Sequence, residues 1–213
     1  MPEKYFITGI GTEVGKTMIS AIVTEALEAD YWKPIQAGDL DNSDTHKVKR
    51  LISNSKTVFH QSAFNLKTPM SPHAAAEIDG VEISAEKMEI PGTENNLVIE
   101  GAGGLLVPIS DTETIADLIK PEYKVILVSR HYLGSINHTL LSIEALKSRG
   151  LKCHGIIFSG DETPSSEEII EKMSGVPVLG RVEQEPYFDE NGVLEYADKF
   201  REKLREDNAE EKR

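Results

Sequence analysis

The chain has 213 residues, 39% of them hydrophobic and 28% charged, with a formal net charge of −13. That length supports one domain or at most two small ones, and the acidic excess speaks against general affinity for nucleic acid or an anionic membrane. No apolar run is long enough to span a bilayer, the N-terminus MPEKYF has no signal-peptide pattern, and the single cysteine, Cys153, excludes an intramolecular disulfide and fits a reducing compartment.

KYFITGI predicts the first strand, and KTMISAIVTEALEA the first helix. Between them lies GIGTEVGKT, from Gly9 to Thr17. Glycines let backbone N–H groups turn inward onto phosphate oxygens, a lysine reaches the outer phosphates, and a Ser/Thr hydroxyl serves a metal. Gly15, Lys16 and Thr17 supply that core, and the helix that follows presents its positive end. The strict spacing asks for glycine at position 10, where Ile10 stands. The strand–loop–helix context favours nucleotide binding over a plain glycine-rich turn. Gly11 occupies the place where ParA-like partitioning ATPases carry a lysine, which counts against a regulatory ATPase that switches partner binding.

YWKPI predicts the second strand and puts Lys33 at its end. A lysine there neutralises charge in the crevice during phosphoryl transfer, or it snorkels to solvent. SDTHKVKRLIS predicts a helix. Asp44 at its start is a metal-ligand candidate or an ordinary cap, with Asp39 and Asp41 equally eligible. Residues 56–92 read as a loop-rich excursion. Within it TPMSPH is a rigid loop carrying Ser71 and His73 toward a ligand, or a structural turn.

NLVIEG predicts a buried strand ending in Glu100, followed by glycines, which is the place for a second metal-binding acid. TETIADLI predicts a helix and KVILVSR a strand. HYLGSINH then opens a helix whose first N–H groups, from Gly134, Ser135, Ile136 and Asn137, suit a carboxylate or phosphate, with Ser135 as a plain cap the alternative. Ile136, Leu140, Leu141, Ile143 and Leu146 give that helix an apolar stripe. His138 reads as structural. CHGIIFSG predicts a strand that packs Cys153 as an inert thiol; PSSEEIIEKMSG a helix; PVLG a short strand; GVLEYADKFREKLRE a last helix. Near-continuous apolar strands alternating with helices imply βαβ units. The expected fold is therefore α/β, a three-layer P-loop NTPase domain with a mostly parallel central sheet, over 1–205, with a charged, frayed tail over 206–213.

Taken together, TGIGTEVGKT, WKPIQAG, NSD, SPH, VIEGAGGLLVPI, DTETIADLI and VILVSRHYLGSINHTLLSIEALKSRG resemble the dethiobiotin synthetases, over most of the chain from Lys4 to about Gly180. That family shares the wide glycine spacing. The resemblance implies a cytoplasmic ATP-dependent ligase of biotin biosynthesis. It forms a carbamate on one amine of 7,8-diaminononanoate (diaminopelargonate) with CO2 and phosphorylates it with ATP. Attack by the second amine on the carbamic–phosphoric anhydride then closes the ring.

Carried over, Gly11, Thr12, Glu13, Val14, Gly15, Lys16, Thr17 and Met18 would hold the nucleotide, with Ser159 and Gly180 beside the base. Thr17, Asp44 and Glu100 would bind Mg2+. Lys33 and Lys16 would stabilise transferring charge, with Thr12 and Glu13 near the carbamate and amines. Lys33, Ala37, Ser71 and Gly103 would line the substrate, and residues 134–137 would hold its carboxylate from the neighbouring subunit of a homodimer.

Three departures stand out. Ala37 replaces a hydroxyl, Ser159 and Gly160 replace a base-reading Asn-Asp, and the usual proline soon after Gly180 is missing, which leaves base selectivity open. Cobyrinate-type amide-forming synthetases are a related alternative, but they usually carry a further glutaminase domain.

Overall fold

The computed structural model describes residues 2–210. Nine strands and six α-helices run in the order β1 (Lys4–Gly9), α1 (Lys16–Leu27), β2 (Asp30–Trp32), β3 (Ile35–Ala37), α2 (Asp44–Leu51), β4 (Phe59–His60), β5 (Phe64–Leu66), α3 (Pro72–Asp79), β6 (Leu97–Gly104), β7 (Lys124–Arg130), α4 (Ser135–Ser148), β8 (Cys153–Ser159), α5 (Pro164–Ser174), β9 (Val178–Val182) and α6 (Glu190–Glu210). Seven strands form one sheet in the order β4-β2-β6-β1-β7-β8-β9, and β3 pairs with β5 apart from it. All these pairings are parallel.

Both faces of the sheet are covered, which explains the unbroken apolar strands. Phe6, Leu97, Ile99, Leu127 and Phe158 pack with Ile143 and Leu146 of α4 and Ile170 of α5. On the other face Tyr5, Ile7, Val98, Ile126 and Ile157 meet Ile19, Ile22 and Val23 of α1, Val48 of α2 and Phe200 of α6. The central strand β1 lies between β6 and β7, so the loop that leaves it opens at the middle of the carboxyl edge, where such sheets bind ligands.

Several expectations are corrected. YWKPI is two short strands in two sheets, because the chain turns out of the main sheet at Lys33 and Pro34. Proline has no N–H for the ladder, and it holds the preceding residue extended. TETIADLI forms only a 3-10 turn over Ile115–Leu118, closed by a Thr114–Asp117 capping box. The excursion over 56–92 contains β4, β5 and α3. The stripe on α4 is split. Ser135, Thr139, Ile143 and Leu146 face the sheet, while Ile136 and Leu141 are exposed beside a fully exposed Leu133. The last helix reaches Glu210, past the expected start of the tail, and residues 211–213 lie outside the described residues.

Candidate active site

The loop between β1 and α1 leaves the sheet at Ile10, whose N–H still donates to Val128 O at 3.0 Å. Glu13 (φ 58°) and Gly15 (φ 97°) then take left-handed backbone. At Gly15 it is this conformation that calls for glycine, since a Cβ would meet only the Ser159 hydroxyl, at 2.8 Å, which can rotate aside. At Glu13 the conformation costs about 1–2 kcal/mol, a strain that needs a reason. Among the described residues, no backbone N–H from Thr12 to Thr17 donates to a protein acceptor. Such a run of orphan donors at a helix N-terminus is an anion cradle. Lys16 is buried and folds back over it, Nζ donating to Gly11 O at 2.9 Å. Burial, and then the nearby Lys33 ammonium, lower the Lys16 pKa to about 8 against the pull of Glu100 and Asp44.

Beside the cradle sits a charged cluster. Lys33 Nζ lies 2.8 Å from Asp44 Oδ2 and 3.0 Å from Glu100 Oε1, and it also donates to Gly101 O at 3.0 Å. Glu100 accepts two further bonds, from Thr17 Oγ1 at 2.9 Å and Tyr31 O–H at 2.8 Å. One carboxylate thus ties β6 to α1, β2 and Lys33. Lys33 and Glu100 side chains are only 4% and 1% exposed, so neither snorkels nor points to solvent. Burial opposes the charge on Lys33, but Glu100 and Asp44 outweigh it and hold its pKa above the ordinary lysine value. Burial likewise opposes ionisation of Asp44, and Lys33 outweighs it, so the Asp44 carboxyl stays below its usual range. Burial, then the Glu100 charge, drives the Tyr31 pKa well up. Tyr31 therefore stays a donor.

The three eligible acids are now separated. Ser43 caps α2, leaving Asp44 as its first residue, with its N–H on Gln36 Oε1 and its carboxylate on Lys33. Asp39 turns outward to Lys47 at 3.0 Å, and Asp41 is exposed. Among the described residues no three His, Cys, Asp or Glu side chains cluster as a metal site. Two carboxylates and one hydroxyl do fit Mg2+, which takes few protein ligands and completes its shell with phosphate and water. The Lys33 ammonium lies between the two acids and already offers them positive charge.

The remaining candidates divide. The end of β6 bulges out of register with β1 between Ile7 and Gly9, bringing Gly103 close to Thr12 and Gly104 against Gly11. Ala37 ends β3, and the following Gly38 packs on Pro69 of the loop that leads to Ser71, the N-cap of α3. His73 N–H donates to Pro108 O, so that loop is tied to the segment after β6. Gly134 (φ 104°), not Ser135, is the N-cap of α4, and Ser135 is buried. His138 is exposed and bonds Tyr132 O–H at 2.8 Å. Gly180 lies inside β9 under the Phe200 ring, where a Cβ would stand 2.4 Å from it, so its small size serves helix packing. Cys153 is buried, and burial pushes its thiol up to about 12.

Two cavities flank the cradle. One of about 720 Å3 is lined by Thr17, Met18, Lys47, Arg50 and residues 188–191. The other, about 390 Å3, runs from Gly11 and Thr12 along Leu106, Val107, Pro108 and Leu141. Sequence reasoning missed Tyr31, which donates to the Glu100 carboxylate, and Gln36, which accepts the backbone N–H of Asp44. Their only signal was a polar atom on a residue of a short buried strand.

A family described as an AAA domain matches residues 3–191. The chain is 68% identical to the ATP-dependent dethiobiotin synthetase of Christiangramia forsetii, over 96% of this chain and 99% of that one. It is 49% identical to that of Cytophaga hutchinsonii, over 93% and 97%. Among solved structures, the septum site-determining protein MinD of Pyrococcus horikoshii, complexed with Mg-ADP, matches at TM-score 0.59 and 16% identity, over 95% of this chain and 90% of that one. A ParA family ATPase of Chlorobium tepidum matches at TM-score 0.55 and 13% identity, over 92% and 98%. These two likenesses show the fold.

Proposed function

The chain belongs to the family of ATP-dependent dethiobiotin synthetases, ligases of biotin biosynthesis, and on that premise we propose how its own residues close the ureido ring. The observation that carries the reading is Lys33, held buried between Asp44 and Glu100 at the mouth of a cradle of orphan amides.

The triphosphate lies on the amides from Thr12 to Thr17, and Lys16 leaves Gly11 O to meet its outer oxygens. Thr17, Asp44 and Glu100 would hold Mg2+, which would supply positive charge to neutralise the phosphates. 7,8-Diaminononanoate lies along the apolar cavity beside Leu106 and Leu141, with its amines near Thr12 and Glu13. One amine takes up CO2 as a carbamate, which Lys33 steadies. A carbamate oxygen attacks the γ-phosphorus, and the anhydride forms as ADP leaves. The second amine then attacks the carbamoyl carbon, phosphate departs, and the ring closes. Lys33 and Lys16 act on charge that develops in transfer, so catalysis is positioning plus electrostatics. Ala37 offers the carbamate no hydroxyl. Ser159, beside Gly15, gives the base no side-chain amide.

The substrate carboxylate meets the start of α4, Gly134 to Asn137, of a second copy of the chain. Exposed Leu133, Ile136 and Leu141 support a homodimer through that face. Altering residues 134–137 should weaken diamine binding more than ATP binding by calorimetry.

The test is incubation of the protein with 7,8-diaminononanoate, bicarbonate, Mg2+ and ATP, read by mass spectrometry. Dethiobiotin is expected. No product while ATP still binds would overturn the substrate assignment.

A further inference from the structure

The phosphate loop carries a strain that its own residues do not relieve. Glu13 is a non-glycine residue at φ 58°. Among the described residues, two side chains donate to carbonyls of this loop. Lys16 holds Gly11 O at 2.9 Å, and Arg130 Nη1 holds Glu13 O at 3.0 Å. The two bonds differ in what ATP does to them. Lys16 must release Gly11 O to reach phosphate. Arg130 comes from outside the loop, at the last position of β7, and nothing requires it to move.

In a trans peptide the C=O and the following N–H point in opposite directions. A guanidinium that holds Glu13 O toward Arg130 therefore holds Val14 N–H on the side away from Arg130. That N–H has no protein acceptor among the described residues, and Val14 itself is buried. The bond also stabilises the left-handed Glu13 that the turn requires. Guanidinium suits this task because its planar, permanently charged donors hold an acceptor in fixed geometry.

We propose that Arg130 is a positioning residue of the phosphate loop, clamping the Glu13–Val14 peptide so that Val14 N–H faces the nucleotide phosphates. This rests on the reading of the loop as the ATP cradle. Arg130 itself is exposed at the strand end and touches the loop rather than the reacting atoms.

The experiment is calorimetric titration of a non-hydrolysable ATP analogue with Mg2+ into the wild type, R130M, R130K and K16A, at about 0.1 M and about 1 M KCl. R130M is expected to bind roughly 5- to 20-fold more weakly at both salt concentrations, the scale of one charge-assisted hydrogen bond. R130K, which keeps a donor, should recover part of the loss. The urea midpoint of nucleotide-free R130M should fall only slightly, because the freed loop relaxes out of the left-handed turn and the lost order is felt when nucleotide binds. Wild-type affinity in R130M overturns the proposal. So does a loss that vanishes at high salt, where long-range attraction is screened, or a fall in urea stability that accounts for the whole loss of affinity, which would make Arg130 a general brace. K16A separates the two readings. If it binds as tightly as wild type, the cradle reading fails. If it is weak while R130M is unchanged, only the role of Arg130 fails.

Discussion

Two buried carboxylates on neighbouring strands, Asp30 at the start of β2 and Glu100 three positions further along on β6, are equally well satisfied and differ in what satisfies them. Asp30 begins β2 and accepts from Thr93 Oγ1 at 2.6 Å, Val58 N–H at 3.0 Å, His60 Nε2 at 3.1 Å and Asn95 Nδ2 at 3.3 Å. Glu100, near the middle of β6, accepts from Thr17, Tyr31 and Lys33. The partners of Asp30 include a backbone amide and loop side chains, and what it does is tie the segments around 58 and 93–95 to the sheet. The partners of Glu100 include an ammonium shared with a second acid and a hydroxyl at the head of a helix with orphan amides. Burial and full satisfaction are common to both. What sets Glu100 apart is partners that a ligand could redirect, as the proposed function requires.

Breaking Lys33 tests the contrast most strongly. Lys33→Met leaves Asp44 and Glu100 close together without their cation. Product formation should fall about 10³-fold or more, as for loss of a main charge stabiliser, measured by dethiobiotin yield. The variant should also lose about 3–5 kcal/mol in urea denaturation, the scale for an orphaned buried charge. Added Mg2+ should restore more stability to this variant than to the wild type. Wild-type turnover would sink the site.

Asp30→Ala should do the opposite. It should cost about 2–3 kcal/mol of stability by denaturation, because several donors lose one acceptor, while turnover at saturating substrate stays near wild type. Burial opposes ionisation of Asp30, yet the bonds from Thr93, Val58 and His60 hold its pKa below the usual value. A carboxyl with a depressed folded pKa stabilises above its unfolded pKa. The Asp30 contribution is therefore present at neutral pH and is lost as the solution is acidified through and below the ordinary carboxylate range.

The cradle has its own pH signature. With a pKa near 8, Lys16 loses its proton in the free protein as pH rises past that value. Bound phosphate favours the charged form, so ATP binding should take up a proton at alkaline pH. Affinity should fall by up to about tenfold per pH unit above 8, and calorimetry in buffers of different ionisation enthalpy should reveal the uptake. An affinity flat from pH 7 to 10 would contradict the Lys16 contact. The smallest effect belongs to Cys153. With its thiol pushed up to about 12, it should resist iodoacetamide in the folded protein at pH 8 and react after denaturation.

The sequence alone determined the alternation of strands and helices, the loop from Gly9 to Thr17 and the family resemblance. These rest on local chemistry: apolar runs, glycines, a lysine and a hydroxyl at fixed spacing. Tertiary structure decided what spacing leaves open. Asp44 stands apart from Asp39 and Asp41 because α2 turns its first residue toward Lys33. Lys33 faces inward because the chain turns at Pro34 between two sheets. Two of the five apolar residues in the stripe of α4 face outward because a helix buries only the side its neighbours cover, and the sheet selected Ser135 and Thr139 over Ile136 and Leu141. Arg130 meets Glu13 only because β7 lies beside β1. A contact between distant segments depends on sheet order and register, and no short stretch of sequence carries that information.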